Sequence, residues 1–109
     1  MHELGITQEL VALACERAQG ARIRRIVVEV GKLSLVLPDA MRFCFDLCSE
    51  NTPAAGAQLE IVETPGRGRC RQCAAELTMQ SPLVRCGCGS TDVEWLGGEQ
   101  LTLKEMEIT

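Results

Sequence analysis

The spacing of apolar positions predicts two amphipathic helices in the first half of the chain, over residues 4–19 and 38–50. Gly20 is a natural stop for the first helix, and Pro38 with Asp39 suits the first turn of the second. The first helix offers two stripes at three- and four-residue spacing, and the second offers one. These stripes are Ile6, Leu10, Leu13 and Ala14; Thr7, Val11, Ala14 and Ala18; and Leu37, Met41, Phe45 and Cys48.

Three other segments have the composition and partial alternation of β-strands, at residues 23–31, 59–63 and 101–108. Two shorter segments, 75–79 and 83–85, are expected to form the two sides of a hairpin. The predicted order is therefore helix, strand, helix, strand, a hairpin-containing segment and a final strand. This order is typical of an α+β protein with an insertion.

Four cysteines in two close pairs lie within that inserted segment. Cys70 and Cys73 form a Cys-x-x-Cys pair, and Cys86 and Cys88 form a tighter Cys-x-Cys pair twelve residues later. A close pair on a tight turn can direct both sulfurs at one point. Two such turns make the tetrahedral four-sulfur site that Zn²⁺ prefers. We therefore predict a structural zinc site formed by these four residues.

Other interpretations of the cysteines are weaker. A redox pair at Cys70 and Cys73 would need a thioredoxin-like strand and helix around it, and a disulfide framework conflicts with an odd total of seven cysteines. Cys15, Cys44 and Cys48 lie on the predicted helices and are expected to pack as small apolar side chains. Cys44 and Cys48, one helical turn apart, also share a face that could bind a metal.

Together these features predict an α+β fold. A three-stranded sheet with two helices would occupy residues 1–65 and 99–109, and a zinc-ribbon-like module with four cysteines would occupy residues 66–98. The module would be inserted between the second and third strands of that sheet. Its predicted borders are glycine-rich, at Gly66, Gly68, Gly97 and Gly98.

Composition narrows the possible functions. The chain has 109 residues, a net charge of −4 and only 3% aromatic residues, which argues against a nucleic-acid-binding surface. We find no apolar run of transmembrane length and no signal peptide, and therefore expect a cytoplasmic protein with no membrane partner. His2 is the only histidine, and no nucleophile–base pair or phosphate loop is evident, so we do not expect an enzyme.

The N-terminal residues Met1, His2 and Glu3 form a second candidate metal site. The α-amine, the backbone nitrogen of His2 and its Nδ1 atom can close a five-membered and a six-membered chelate ring on one ion. Ni²⁺ and Cu²⁺ accept such tetragonal nitrogen ligands. Further ligands could come from the backbone nitrogen or carboxylate of Glu3. The alternative is that His2 is simply an exposed residue near a frayed end.

Taken together, these residues resemble the HypA/HybF family, the nickel metallochaperones of nickel–iron hydrogenase maturation. The resemblance covers essentially the whole chain, in order, and the second cysteine pair is one residue shorter than is usual in that family. The segments that carry the resemblance are Met1-His2-Glu3, Val30-Gly31-Lys32, Phe43-Cys44-Phe45-Asp46 and the two cysteine pairs.

The resemblance implies a nickel site at Met1, His2 and Glu3, with Ni²⁺ as transient cargo. It also implies structural Zn²⁺ on the four paired cysteines, namely Cys70, Cys73, Cys86 and Cys88. Family members deliver nickel to the hydrogenase large subunit together with the GTPase HypB, and some serve urease maturation. The alternative function is a zinc-ribbon module that binds another protein or a nucleic acid.

Overall fold

The structure, a computed structural model, describes residues 2–109 except for the side chain of His2. Over these residues, two α-helices and six β-strands follow one another. The strands form two three-stranded sheets, with orders β2-β1-β6 and β4-β3-β5. This confirms the predicted α+β class with an inserted module. The elements are α1 (His2–Ala18), β1 (Ile23–Gly31), a 3-10 turn (Lys32–Ser34), α2 (Pro38–Cys48), β2 (Gln58–Thr64), β3 (Gly66–Cys70), β4 (Glu76–Met79), β5 (Val93–Gly97) and β6 (Leu101–Ile108).

The chain divides into two compact units. The first, which we call the helical unit, comprises Met1–Glu29, Val36–Val62 and Thr102–Thr109. The second, the cysteine unit, comprises Val30–Leu35 and Glu63–Leu101. The sequence-based boundaries placed residues 30–35 with the helices. The structure groups them with the cysteines because the 3-10 turn contacts that unit: the Leu33 N–H donates to the Gly98 carbonyl, 2.9 Å away.

The helical unit has a largely aliphatic core. Of the two predicted stripes on α1, the one with Thr7, Val11, Ala14 and Ala18 is fully buried, whereas Leu13 of the other stripe is 38% exposed. The buried stripe has the smaller side chains, which allow α1 to lie close to its neighbours. Other residues of this core come from α1, β1 and α2, and they are Leu10, Ile23, Ile26, Val27, Val28, Met41, Cys44 and Phe45.

One arginine links all three strands of the sheet in the helical unit. Arg25 lies on the central strand β1, and its guanidinium contacts carboxylates on both neighbouring strands at 3.1–3.2 Å. The carboxylates are those of Glu60 on β2 and of Glu105 and Glu107 on β6. A network of this kind holds the strands in register more specifically than a single exposed ion pair would.

The sheet of the cysteine unit depends on glycines within β3. We expected Gly66 and Gly68 to mark a border of the module, and both belong to β3, which begins at Gly66. A Cβ atom on Gly66 would come within 2.4 Å of the Leu33 side chain. One on Gly68 would come within 2.6 Å of Val93 and 2.7 Å of Met79. Glycine is needed here because side chains from neighbouring segments pack directly on the backbone.

The predicted hairpin between the cysteine pairs is wrong. Strand β4 does form, but it pairs antiparallel with β3, and residues 83–85 are not in a strand. The third strand is instead β5, which pairs with the other edge of β3. Leu83 is 92% exposed, so its apolar side chain was a misleading signal for a sheet. The hairpin forms instead between β3 and β4, across the first cysteine turn, and β5 joins it from farther along the chain.

Substitution of Gly98 by alanine is expected to destabilise the cysteine unit by at least about 2 kcal/mol. Gly98 has a φ of +100°, and a Cβ atom there would lie 2.3 Å from the Gly66 Cα, which belongs to the backbone and cannot move aside. Gly97→Ala is the matched control, because a Cβ atom at Gly97 meets nothing within 4 Å. The measurement is chemical denaturation of both variants; equal stabilities would contradict this account.

Candidate metal centres

The first cysteine pair lies on a tight turn at the end of β3. The N–H of Ala74 donates to the carbonyl of Cys70 at 2.9 Å, and the N–H of Cys73 points to the Cys70 sulfur at 3.5 Å. Ala74 has a φ of +66°, an uncommon left-handed conformation for a residue with a side chain. The turn thus carries backbone strain and directs one N–H group at a sulfur.

The second cysteine pair lies on another tight turn. The N–H of Gly89 donates to the carbonyl of Cys86 at 2.8 Å, and Gly89 has a φ of +96°, which glycine adopts without steric cost. The Cys86 N–H in turn donates to the Ser90 carbonyl at 2.8 Å. The Arg85 guanidinium donates to the Gly89 carbonyl, also at 2.8 Å, and so holds the turn from the outside.

The two turns bring all four sulfurs together, within 4.8 Å of one another. The Cys70 and Cys88 sulfurs lie 3.6 Å apart, and those of Cys73 and Cys86 lie 3.5 Å apart. A tetrahedral site with metal–sulfur bonds of about 2.3 Å separates neighbouring sulfurs by about 3.8 Å. The donor set and spacing therefore fit a tetrahedral four-sulfur centre, and the short Cys-x-Cys spacer still brings both of its sulfurs into the cluster.

The thiols of this cluster differ in acidity. The pKa of Cys70 is lowered to about 6, mainly because the backbone N–H of Cys73 donates to its sulfur. The pKa of Cys73 is raised to about 12: the Ala75 N–H lowers it, but the neighbouring thiols of Cys86, Cys70 and Cys88 together outweigh that contribution. The first ionised sulfur thus opposes ionisation of the next. A divalent cation would remove this repulsion and release protons as it binds.

The three remaining cysteines do not form a comparable centre. In the part of the chain that the structure describes, the only group of three or more close metal-ligating side chains is the four-cysteine cluster. Cys44 is buried, as expected, whereas Cys15 and Cys48 are partly exposed and line a cavity of about 410 Å³. Burial raises the pKa of Cys48, with a smaller contribution from Cys44.

The N-terminal candidate site lies at the first turn of α1. Met1 and the imidazole of His2 lie outside the described residues, and the helix begins at His2. The first four N–H groups of an α-helix have no partner within the helix, so the backbone nitrogens of His2 and Glu3 are not needed for helical hydrogen bonds. The Glu3 carboxylate accepts a hydrogen bond from the Leu37 N–H at 3.4 Å. This contact was not predicted, because nothing in the local sequence pattern relates Glu3 to Leu37.

A family model described as "Hydrogenase/urease nickel incorporation, metallochaperone, hypA" matches residues 1–108. The chain belongs to this family. The HypA family comprises metallochaperones rather than enzymes, and the resemblance noted from the sequence is thereby confirmed.

Several relatives and solved structures agree with this assignment. "Hydrogenase maturation factor HypA" of Nostoc punctiforme is 52% identical over 108 residues, covering 99% of this chain and 96% of the relative. The protein of the same name from Geobacter sulfurreducens is 42% identical over 109 residues, covering 99% of each chain. The solution structure of the Ni metallochaperone HypA from Helicobacter pylori superimposes with a TM-score of 0.69 at 25% identity, covering 97% of this chain and 96% of that one. Within residues 2–109, no helix is long and apolar enough to cross a membrane.

Replacement of Cys88 by serine is expected to reduce the bound divalent metal well below the value of about one ion per chain that a four-sulfur site implies. Removing one thiolate opens the tetrahedral site to water and weakens the connection between the two turns. Cys15→Ser is the matched control, because Cys15 lies outside the cluster. Metal content after dialysis is measured by atomic emission. Full metal content in Cys88→Ser would remove Cys88 from the ligand set.

Proposed function

We propose that this member of the HypA family binds Ni²⁺ at its N-terminus and delivers it to the large subunit of nickel–iron hydrogenase during maturation. The observation that carries the proposal is the family match over residues 1–108 in a chain whose first residues are Met-His-Glu. The family description names nickel incorporation into hydrogenase or urease, and the relatives above are named hydrogenase maturation factors.

The proposed nickel ligands are nitrogen atoms of the first turn of α1. They are the Met1 α-amine, the backbone nitrogens of His2 and Glu3, and the His2 Nδ1 atom. Four nitrogens in this order can form fused chelate rings around a square-planar or tetragonal Ni²⁺ ion. Support comes from the start of α1 at His2, which leaves these backbone nitrogens without helical acceptors. The proposal requires Met1 to carry the free α-amine.

The proposed resident metal of the cysteine unit is Zn²⁺, held by Cys70, Cys73, Cys86 and Cys88. Four thiolates suit zinc, which has no geometric preference that would oppose a tetrahedron. A site with four protein ligands leaves no open position for a substrate, so its role is structural. Cys70 and Cys86 are buried while Cys73 and Cys88 are exposed, consistent with a centre that connects two surface turns.

The two proposed sites suit different tasks. A structural metal must stay bound, and a closed four-sulfur site favours this. A carrier must release its ion to an acceptor, and a chelate at a helix N-terminus is accessible to the acceptor's ligands. We infer that the GTPase HypB and the hydrogenase large subunit are protein partners, that urease maturation proteins are further candidates, and that delivery occurs in the cytoplasm.

Selective acetylation of the Met1 α-amine is expected to weaken nickel binding by more than about 100-fold, because loss of a ligand exceeds the 10–100-fold cost of losing an outer-shell partner. Acetylation converts the amine to an amide that no longer binds the ion, and it changes no side chain. Isothermal titration with Ni²⁺ compares the two proteins, and zinc content serves as the internal control. Equal nickel affinity in both would place the cargo site elsewhere, with Cys44 and Cys48 the next candidates.

His2→Ala is expected to abolish hydrogenase maturation in cells that lack their own copy of this protein. The imidazole supplies one arm of the proposed chelate, so the variant should carry too little nickel for delivery. Hydrogenase activity at low nickel measures the outcome, with Cys15→Ser as the matched control expected to restore activity fully. Normal hydrogenase activity with His2→Ala would contradict the proposed route of delivery.

A further inference from the structure

We propose that the Glu3 carboxylate is a positioning group that caps helix α2 and thereby holds the nickel-binding turn in place, rather than a nickel ligand. This inference rests on the proposed function for its nickel part. Its structural basis is the hydrogen bond from the Leu37 N–H to Glu3 Oε2, at 3.4 Å, within the helical unit. The contact joins the first turn of α1 to the N-terminus of α2.

Helix α2 lacks a local cap. Its N-cap residue is Leu37, which has no side-chain hydrogen bond to offer, and the next residue is Pro38. In a capping box, a Glu or Gln three residues after the N-cap accepts a hydrogen bond from the N-cap N–H. That position in α2 is Ala40, whose methyl group cannot accept one. Glu3 supplies the missing acceptor from the other helix.

Glu3 is also held through its backbone. The Thr7 side chain is fully buried, and its hydroxyl donates to the Glu3 carbonyl one turn earlier in α1. The residue is therefore attached at two points, by its carbonyl to α1 and by its carboxylate to α2. This double attachment restricts the position of the Glu3 backbone nitrogen, one of the proposed nickel ligands.

Electrostatics favour the same role. The carboxylate lies in the first turn of α1 and at the start of α2, where both helix dipoles have their positive ends. A cation bound at the start of α1 would be repelled by that dipole, and a nearby carboxylate offsets the repulsion without direct coordination. Ligation through Oε2 would instead compete with the Leu37 N–H for that oxygen.

The test compares side chains that can cap with side chains that cannot. Glu3→Ala removes the acceptor and is expected to weaken nickel binding about tenfold, the scale of one lost helix cap. Glu3→Gln keeps an acceptor oxygen but is a poor metal ligand, and its affinity should stay within about threefold of the native value. Glu3→Ala with Ala40→Gln restores a local acceptor for the Leu37 N–H and should recover most of the affinity. Glu9→Ala, at an exposed position of α1, is the control for loss of charge.

Two readouts separate a cap from a ligand. Nickel affinity is measured by titration, and hydrogen exchange of the Leu37 amide is measured by NMR on nickel-free protein. A cap predicts faster exchange in Glu3→Ala, native exchange in Glu3→Gln and recovery in the double variant. The proposal is overturned if Glu3→Gln binds nickel as weakly as Glu3→Ala, or if Leu37 exchange is the same in all variants. Absence of nickel binding by the native chain would overturn the proposed function and the nickel part of this inference. Exchange of the Leu37 amide would still decide whether Glu3 caps α2.

Discussion

The close approach of four cysteine sulfurs is the constraint on which the cysteine unit depends. Sulfurs 3.5–3.6 Å apart repel one another once more than one is ionised, and the raised pKa of Cys73 reflects its three neighbouring thiols. A divalent cation would convert it into attraction. The unit has few large buried side chains besides Leu33 and Met79, so a bound metal would supply much of its stability.

The sheet of the cysteine unit is shaped to present the two turns. Strand β3 ends at Cys70, the first ligand candidate, and its partner β5 begins at Val93, directly opposite Cys70. Glycines at positions 66 and 68 let neighbouring side chains pack directly against the β3 backbone. The position of the cysteines therefore follows from backbone packing as well as from their spacing in the sequence.

The helical unit has a different source of stability. Its core is built largely from aliphatic side chains of two helices and a sheet. It holds the first turn of α1 through buried Thr7 and through the contact between Glu3 and the start of α2. If nickel binds at the N-terminus as proposed, it could leave without disturbing this core.

The sequence by itself determined the features that depend on local spacing. Periodicity placed both helices and the strands β1, β2 and β6 to within about two residues, because burial of one face imposes a fixed repeat. The paired cysteines and the Met1-His2-Glu3 motif identified both candidate metal sites, and the HypA family followed from their order. The tertiary structure alone decided the partners of β3, the strand Val93–Gly97 and the contact between Glu3 and Leu37. The pairing of β3 with β5 and the contact between Glu3 and Leu37 join residues far apart in the chain, and the energies of all these features come from packing and hydrogen bonds that leave no periodic trace in the sequence.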